Sequence, residues 1–269
     1  MGVIAVAYTV RMVKAADLGE VPGPEVFWMS HFGEWLPLGV FVGVIRGGGH
    51  TVLVNTGPPE DYLDVMNAVW REELGPRAHI AVEGPQAVDR WLARAGVAPD
   101  EVDAIVVTPL QAYAIGNIDR FPRAEICISR RGWEDLVAPA CFDPRRRMAV
   151  PDRHLRYLIE TCWWERRLRL LDDAHDEVVP GVRTWWAGTH HRSSLAVEVE
   201  TAQGLVVLSD VAFYYENLED DRPLGINESL AECREAYRRI RAAGGRFVSL
   251  YDPRTLERFP EGWVSQGGA

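Results

Sequence analysis

The chain has 269 residues, with 29 Lys and Arg against 39 Asp and Glu, for a net charge of −10. At 47 % hydrophobic and 25 % charged residues it has an ordinary globular composition, long enough to bury a core without disulfide staples. The acidic balance argues against a nucleic-acid surface, which needs a basic patch, and no segment reaches the 18 apolar residues of a membrane span.

The N-terminal "MGVIAVAYTVRMVK" lacks a basic leading region and a small-residue cleavage site, so it reads as a first strand rather than a signal peptide. A cytoplasmic location follows as an expectation. "GVFVGVIR" and "HTVLVNTG" are two further strands, joined through the glycines at 47–49 as a hairpin. "PEDYLDVMNAVWREELG" has helical spacing. "GPQAVDRWLARAGV" is a cleaner helix, with Val88, Trp91, Leu92 and Ala95 on one face and Gly96 as its stop. "PDEVDAIVVT" reads as a short, fully buried strand and "RAEICIS" as the next one. "RGWEDLVAP" opens a helix that leads into a Trp-rich helical insertion at about 132–168. "LRLLDD", "EVVPGVRTWWAG", "SLAVEVET" and "GLVVLSD" read as four strands. "NESLAECREAYRRIRAAG" is a helix, and "GGRFVSLYD" is the expected last strand.

This order predicts an α/β chain with two mixed β-sheets face to face and helices outside, as one domain over 1–269. The basic runs "DPRRR" and "ERRLR" sit among acidic residues and read as solvated helix faces. The four cysteines (Cys127, Cys141, Cys162, Cys233) form no CxxC pair and are expected to be free, buried thiols. The Trp pairs at 163–164 and 185–186 are expected to serve packing.

Five blocks carry a resemblance: "HTVLVNTG", "VDAIVVTPLQAYAIGNIDRFPRAEICIS", "GTHHRSSLAVEV", "GLVVLSDVAFYYENLE" and "FVSLYDP". In order and spacing they resemble the metallo-β-lactamase superfamily, and within it the N-acyl homoserine lactonases, from about residue 38 to 260. The resemblance implies an αββα four-layer sandwich with a dinuclear zinc site on loops at one sheet edge. The signature T-H-x-H-x-D-H of that family puts its ligands here on Pro109, Gln111, Tyr113 and Ala114. The further family ligands fall on His190, Asp210 and Tyr251. The Asp of the family's V-D-T-G is Asn55, and the lactonase tyrosine three residues after the bridging Asp is Phe213, with Tyr214 beside it. Zinc needs imidazole, thiolate or carboxylate donors, three or four per ion. This set therefore predicts no bound metal, and no cofactor is assigned from the sequence.

The resemblance also implies that His190 and Asp210 converge. A carboxylate beside an imidazole fixes its tautomer and suits it to general-base work. Tyr113 and Tyr251 are expected in the same cavity as proton or hydrogen-bond donors. Gln111, His191, Arg192, Phe213, Tyr214 and His31 are expected to line it, with Arg192 holding a substrate carboxylate and His31 reaching in from "WMSHFGEW". His50, His79, His154 and His175 read as structural or exposed.

Three functions stay open at this point. The first is metal-independent acid–base chemistry (ring opening, isomerisation, elimination or decarboxylation) on a small, mostly apolar carbonyl compound. The second is a non-catalytic module that binds a ligand or a protein partner. The third is hydrolysis at a single displaced metal ion held by His190, Asp210, His191 and Asp252. A small molecule is the expected partner, with no nucleic acid or membrane, and the chain is expected to be a monomer or homodimer.

Overall fold

The computed structural model describes residues 7–138 and 150–267. The first residues of the expected N-terminal strand, Cys141, "DPRRR" and part of the insertion lie outside the described residues.

Strand β1 (Thr9–Pro22) continues well beyond the apolar run that announces it. Its second half, "KAADLGEVP", does not alternate, because the pairing slips between Lys14 and Ala16 and again between Asp17 and Gly19. Gly19 sits at the second slip with φ +71° and with the backbone of Arg77 and His79 pressed against it, a place for glycine alone. Strands β2 (Trp35–Gly47) and β3 (His50–Val54) form the expected hairpin.

Strand β4 (Ala78–Val82) carries no apolar alternation strong enough to announce it. Tertiary contacts make it. It pairs with β1, and Asn67, on the helix Leu63–Glu73, mimics a further strand: its carboxamide accepts from the Ile80 N–H (2.7 Å) and donates to the Ile80 carbonyl (3.1 Å). Strands β5 (Ala104–Val106), β6 (Glu125–Ser129) and β7 (Leu168–Leu171) then extend the sheet in parallel from β3. Every residue of β5 is buried, which is the burial its uninterrupted apolar run requires.

The second sheet contains β8 (Asp176–Val179), β9 (Val182–Trp186), β10 (Leu195–Thr201) and β11 (Gly204–Ser209) as an antiparallel meander, with β12 (Arg246–Ser249) parallel to β11. "EVVPGVRTWWAG" is thus two strands, not one, because Gly181 (φ +84°) turns the chain after Pro180. β12 is not the last strand: β13 (Trp263–Ser265) returns to pair with β1 in the first sheet.

The two sheets meet face to face. A Cβ added at Gly43 of β2 would stand 2.7 Å from Leu208 of β11. The N–H groups of Gly39 and Phe41 donate to the carbonyls of Tyr251 and Leu250, just beyond β12. The helix Ala87–Ala95 buries its predicted face and ends at Gly96 (φ +66°). The helix Leu230–Ala243 starts where the Ser229 hydroxyl accepts from the Glu232 N–H and stops at Gly244 (φ +66°). Two mixed sheets with helices make the predicted αββα arrangement.

In the insertion, the helix Asp152–Arg156 runs into a π-helical turn, Tyr157–Trp163. Trp163 and Trp164 point outward, at 56 % and 77 % exposure, so the packing role expected of them is corrected. Trp185 does serve packing; it is buried and its indole N–H donates to Glu198 (2.8 Å). Cys127, Cys162 and Cys233 are buried and free. No helix of the described residues is long and apolar enough to cross a membrane.

Asn67→Ala should strand both polar groups of Ile80 and lower unfolding free energy by about 1–3 kcal/mol, measured by urea denaturation. Unchanged stability would refute the side chain's role in docking β4.

Candidate active site

The site begins where β5 ends. The turn that follows contains the cis peptide Thr108–Pro109 and is pinned by Asn55. The Asn55 carboxamide accepts from the Thr108 N–H and donates to the Thr108 carbonyl, both at 2.8 Å. An aspartate could only accept, so the amide is what holds this turn from both sides.

Thr108 passes the constraint on. Its hydroxyl accepts from the Leu195 N–H (2.8 Å) and donates to Asp210 Oδ1 (2.5 Å). Asp210 stands just after β11, fully buried. Its other oxygen, Oδ2, accepts from the Ser194 hydroxyl (2.5 Å) and lies 3.1 Å from His190 Nδ1. The loop between β9 and β10 carries His190. That loop is closed by N–H groups of Ala187 and Gly188 on the Ser194 carbonyl and by the His191 N–H on the Ser194 hydroxyl (3.1 Å). His190 is only 6 % exposed.

With Nδ1 turned to Asp210, the other edge of His190 faces a cavity of about 380 Å3. Tyr113, Tyr251, Phe213 and His191 stand around it, and Val69 and Trp70 continue the wall outward. The Tyr251 ring packs edge-on against Phe213 (5.0 Å between centroids) and Tyr113 (6.1 Å). Burial pushes both phenols well above the usual tyrosine range. The Asp210 charge adds to this in each, and Tyr113 itself adds to it at Tyr251. Both hydroxyls therefore keep their protons as donors. The Tyr113 hydroxyl lies 3.4 Å from His191 Nε2. The buried Tyr251 hydroxyl makes no hydrogen bond of good geometry among the described residues; its near neighbour is the Tyr113 hydroxyl, with which it interacts.

No family model matches the chain, and no curated protein matches it. Solved structures do. A quorum-quenching N-acyl homoserine lactone lactonase superposes with a TM-score of 0.73 over 97 % of this chain and 99 % of its own, at 18 % identity. An N-acyl homoserine lactone hydrolase with N-hexanoyl-L-homoserine bound at its catalytic metal centre gives 0.74 over 97 % and 100 %, at 19 %. A probable metal-dependent hydrolase from Staphylococcus aureus gives 0.68 over 94 % and 91 %, at 13 %. The chain has the metallo-β-lactamase fold.

The metallo-β-lactamase fold raises the question of whether the residues here fit a metal centre. Pro109 and Ala114 have no donor atom to offer. Gln111 stands on the cavity wall as a neutral amide, and Tyr113 and Tyr251 are held protonated. His190 and Asp210 remain, with the His191 ring beside them but its Nε2 3.4 Å from the Tyr113 hydroxyl, and two converging ligands do not complete one tetrahedral ion. Among the described residues no group of three or more His, Cys, Asp or Glu side chains is placed to hold a metal. Asp252, the extra ligand of a displaced ion, accepts instead from the Tyr215 N–H and from Arg254. Among the described residues the donor set does not make up a complete metal centre.

Of the predicted residues, His190, Tyr113, Tyr251, Gln111, His191, Arg192 and Phe213 line the one cavity, with Asp210 directly behind His190. Three expectations need correction. His31 is not on the cavity wall: it bonds Glu34 (3.1 Å) and stacks on Phe27 (4.6 Å), so the loop closes on itself. Tyr214 is turned away, its hydroxyl donating to the Pro37 carbonyl (2.8 Å) and its ring beneath Arg254. Arg192 does reach the wall, but its guanidinium is bound to Glu232, lies 3.7 Å from Glu228 and stacks over Trp186. It is not held ready for a substrate carboxylate.

The sequence reading passed over Thr108 and Ser194. The only signal was a small hydroxyl residue beside each expected site segment, in "VVTP" and "HHRSSL". Among the other histidines, His154 is fully buried. Desolvation, with the nearby Arg153 charge, pushes it down to about 4, so it is a neutral core residue.

The raised phenols set the alkaline limit of the fold. A group whose folded pKa lies above its unfolded value stabilises the fold fully below the unfolded value, about 10 for tyrosine. Stability should fall as pH rises past 10, by up to about 1.4 kcal/mol per pH unit for each buried phenol. In urea titrations from pH 8 to 11, Tyr113→Phe and Tyr251→Phe should each flatten that fall. An identical slope in both variants would refute the burial of these protons.

Proposed function

We propose that this chain is a lactonase-like protein of the metallo-β-lactamase fold whose cavity performs metal-independent acid–base chemistry on a small, mostly apolar carbonyl compound. The observation that carries the reading is the buried Asp210–His190 pair opening onto a cavity with two protonated phenols. Asp210 holds the proton on Nδ1, and the Nε2 lone pair accepts a proton from a substrate carbon or from a water molecule. As the proton arrives, the carboxylate stabilises the imidazolium. Tyr113 or Tyr251 donates to the carbonyl oxygen as negative charge builds there. Ring opening, isomerisation, elimination and decarboxylation all use these two elements. The solved relatives of this fold include lactone hydrolases, which puts lactones first among the compounds to try.

The test pairs metal analysis with turnover. The protein purified without chelator should hold only traces of zinc, iron, manganese or nickel, and chelators should leave turnover of a lactone and ketone panel unchanged. His190→Ala and Asp210→Asn should each lower turnover about 10²–10⁴-fold with the fold intact by circular dichroism. One or two equivalents of bound metal, or unchanged turnover in either variant, would overturn the reading.

A further inference from the structure

The cavity wall bears on the charge of what enters it, a question that rests on the acid–base reading and sharpens it. Asp210 is fully buried 3.1 Å from His190, and its two hydroxyl partners, Thr108 and Ser194, bring no positive charge. Among the described residues the one guanidinium on the wall, that of Arg192, is already shared between Glu232 and Glu228. With a neutral imidazole, the inner end of the cavity therefore carries a negative charge that no side chain of the described residues compensates. The donors beside it are the hydroxyls of Tyr113 and Tyr251, which are neighbours, and the second makes no hydrogen bond of good geometry among the described residues.

We propose that the inner wall binds a neutral hydrogen-bond acceptor, a ketone, ester or lactone oxygen, through the Tyr113 and Tyr251 hydroxyls and rejects a carboxylate of the same shape. The burial and the Asp210 charge that hold both phenols protonated would act against any other anion at that place. A phenol in turn can donate to a carbonyl without bringing a charge to neutralise. The selection applies to the resting state only. Once His190 has taken a proton, the Asp210–His190 pair is neutral overall, and an oxyanion forming at the same spot no longer faces a net negative charge. If the reaction opens a lactone, the carboxylate product is one the resting cavity expels when the proton leaves His190.

Binding of hexan-2-one and hexanoate tests this at pH 8, followed by quenching of Trp70 emission against a Trp70→Phe blank and by ligand-observed NMR. Hexan-2-one should bind about a hundredfold more tightly than hexanoate, an order of magnitude set by an uncompensated charge near a buried group. Tyr251→Phe or Tyr113→Phe should weaken hexan-2-one about tenfold, the worth of one neutral hydrogen bond, while leaving hexanoate where it was. Asp210→Asn should bring hexanoate up toward the ketone. Equal or tighter binding of hexanoate, no binding of either probe, or indifference of the ketone to both phenylalanine variants would overturn the proposal. Because these are binding readouts, they can fail while His190-dependent turnover stands, and the reverse holds too.

Discussion

The buried Asp210 carboxylate is the constraint on which the rest of the site depends. A charge taken out of water is tolerated only where donors surround it, and here Thr108, Ser194 and His190 supply them. Thr108 comes from the turn after β5, and Ser194 and His190 from the loop between β9 and β10. Through Thr108 the carboxylate is tied to Asn55, beyond β3, and so to the first sheet, although Asp210 itself follows a strand of the second. One anion thereby joins the two sheets at the edge where the cavity opens.

The same arrangement accounts for the residues that stand around the carboxylate. Tyrosine at 113 and 251 fills space beside the carboxylate with ring carbon and turns a neutral donor toward the cavity. Asn55 exchanges a carboxylate that could only accept for an amide that grips Thr108 from both sides. Proline and alanine at 109 and 114 ask nothing of the site. These features agree with each other: among the described residues, charge at the inner wall is confined to one buried carboxylate, whose neutral imidazole partner does not cancel it, and the two tyrosines beside it are uncharged donors.

Where the sequence was readable, the reason is local. The β2–β3 hairpin has its glycine turn, the helix Ala87–Ala95 has its apolar face and glycine stop, and β5 has an unbroken apolar run that only burial on both faces explains. Where it was not, a distant partner decides. β4 exists because Asn67 and β1 complete its hydrogen bonds, and the second half of β1 stays extended only through two slips in register that no alternation could advertise. The split of β8 from β9 was in fact written in Pro180 and Gly181 and was passed over.

The sequence by itself determined the order of strands and helices and the chemical poverty of residues 109 to 114, because strand patterning, glycine stops and the lack of donor atoms are properties of each segment alone. The tertiary structure decided which polar residues meet. Thr108 reaches Asp210 across 102 positions, and Tyr113 reaches His191 across 78. It turned Tyr214 and His31 away from the cavity and bound Arg192 to two glutamates, leaving no available guanidinium on the wall among the described residues. Convergence of that kind depends on packing two sheets against each other, and no single segment contains the information to predict it.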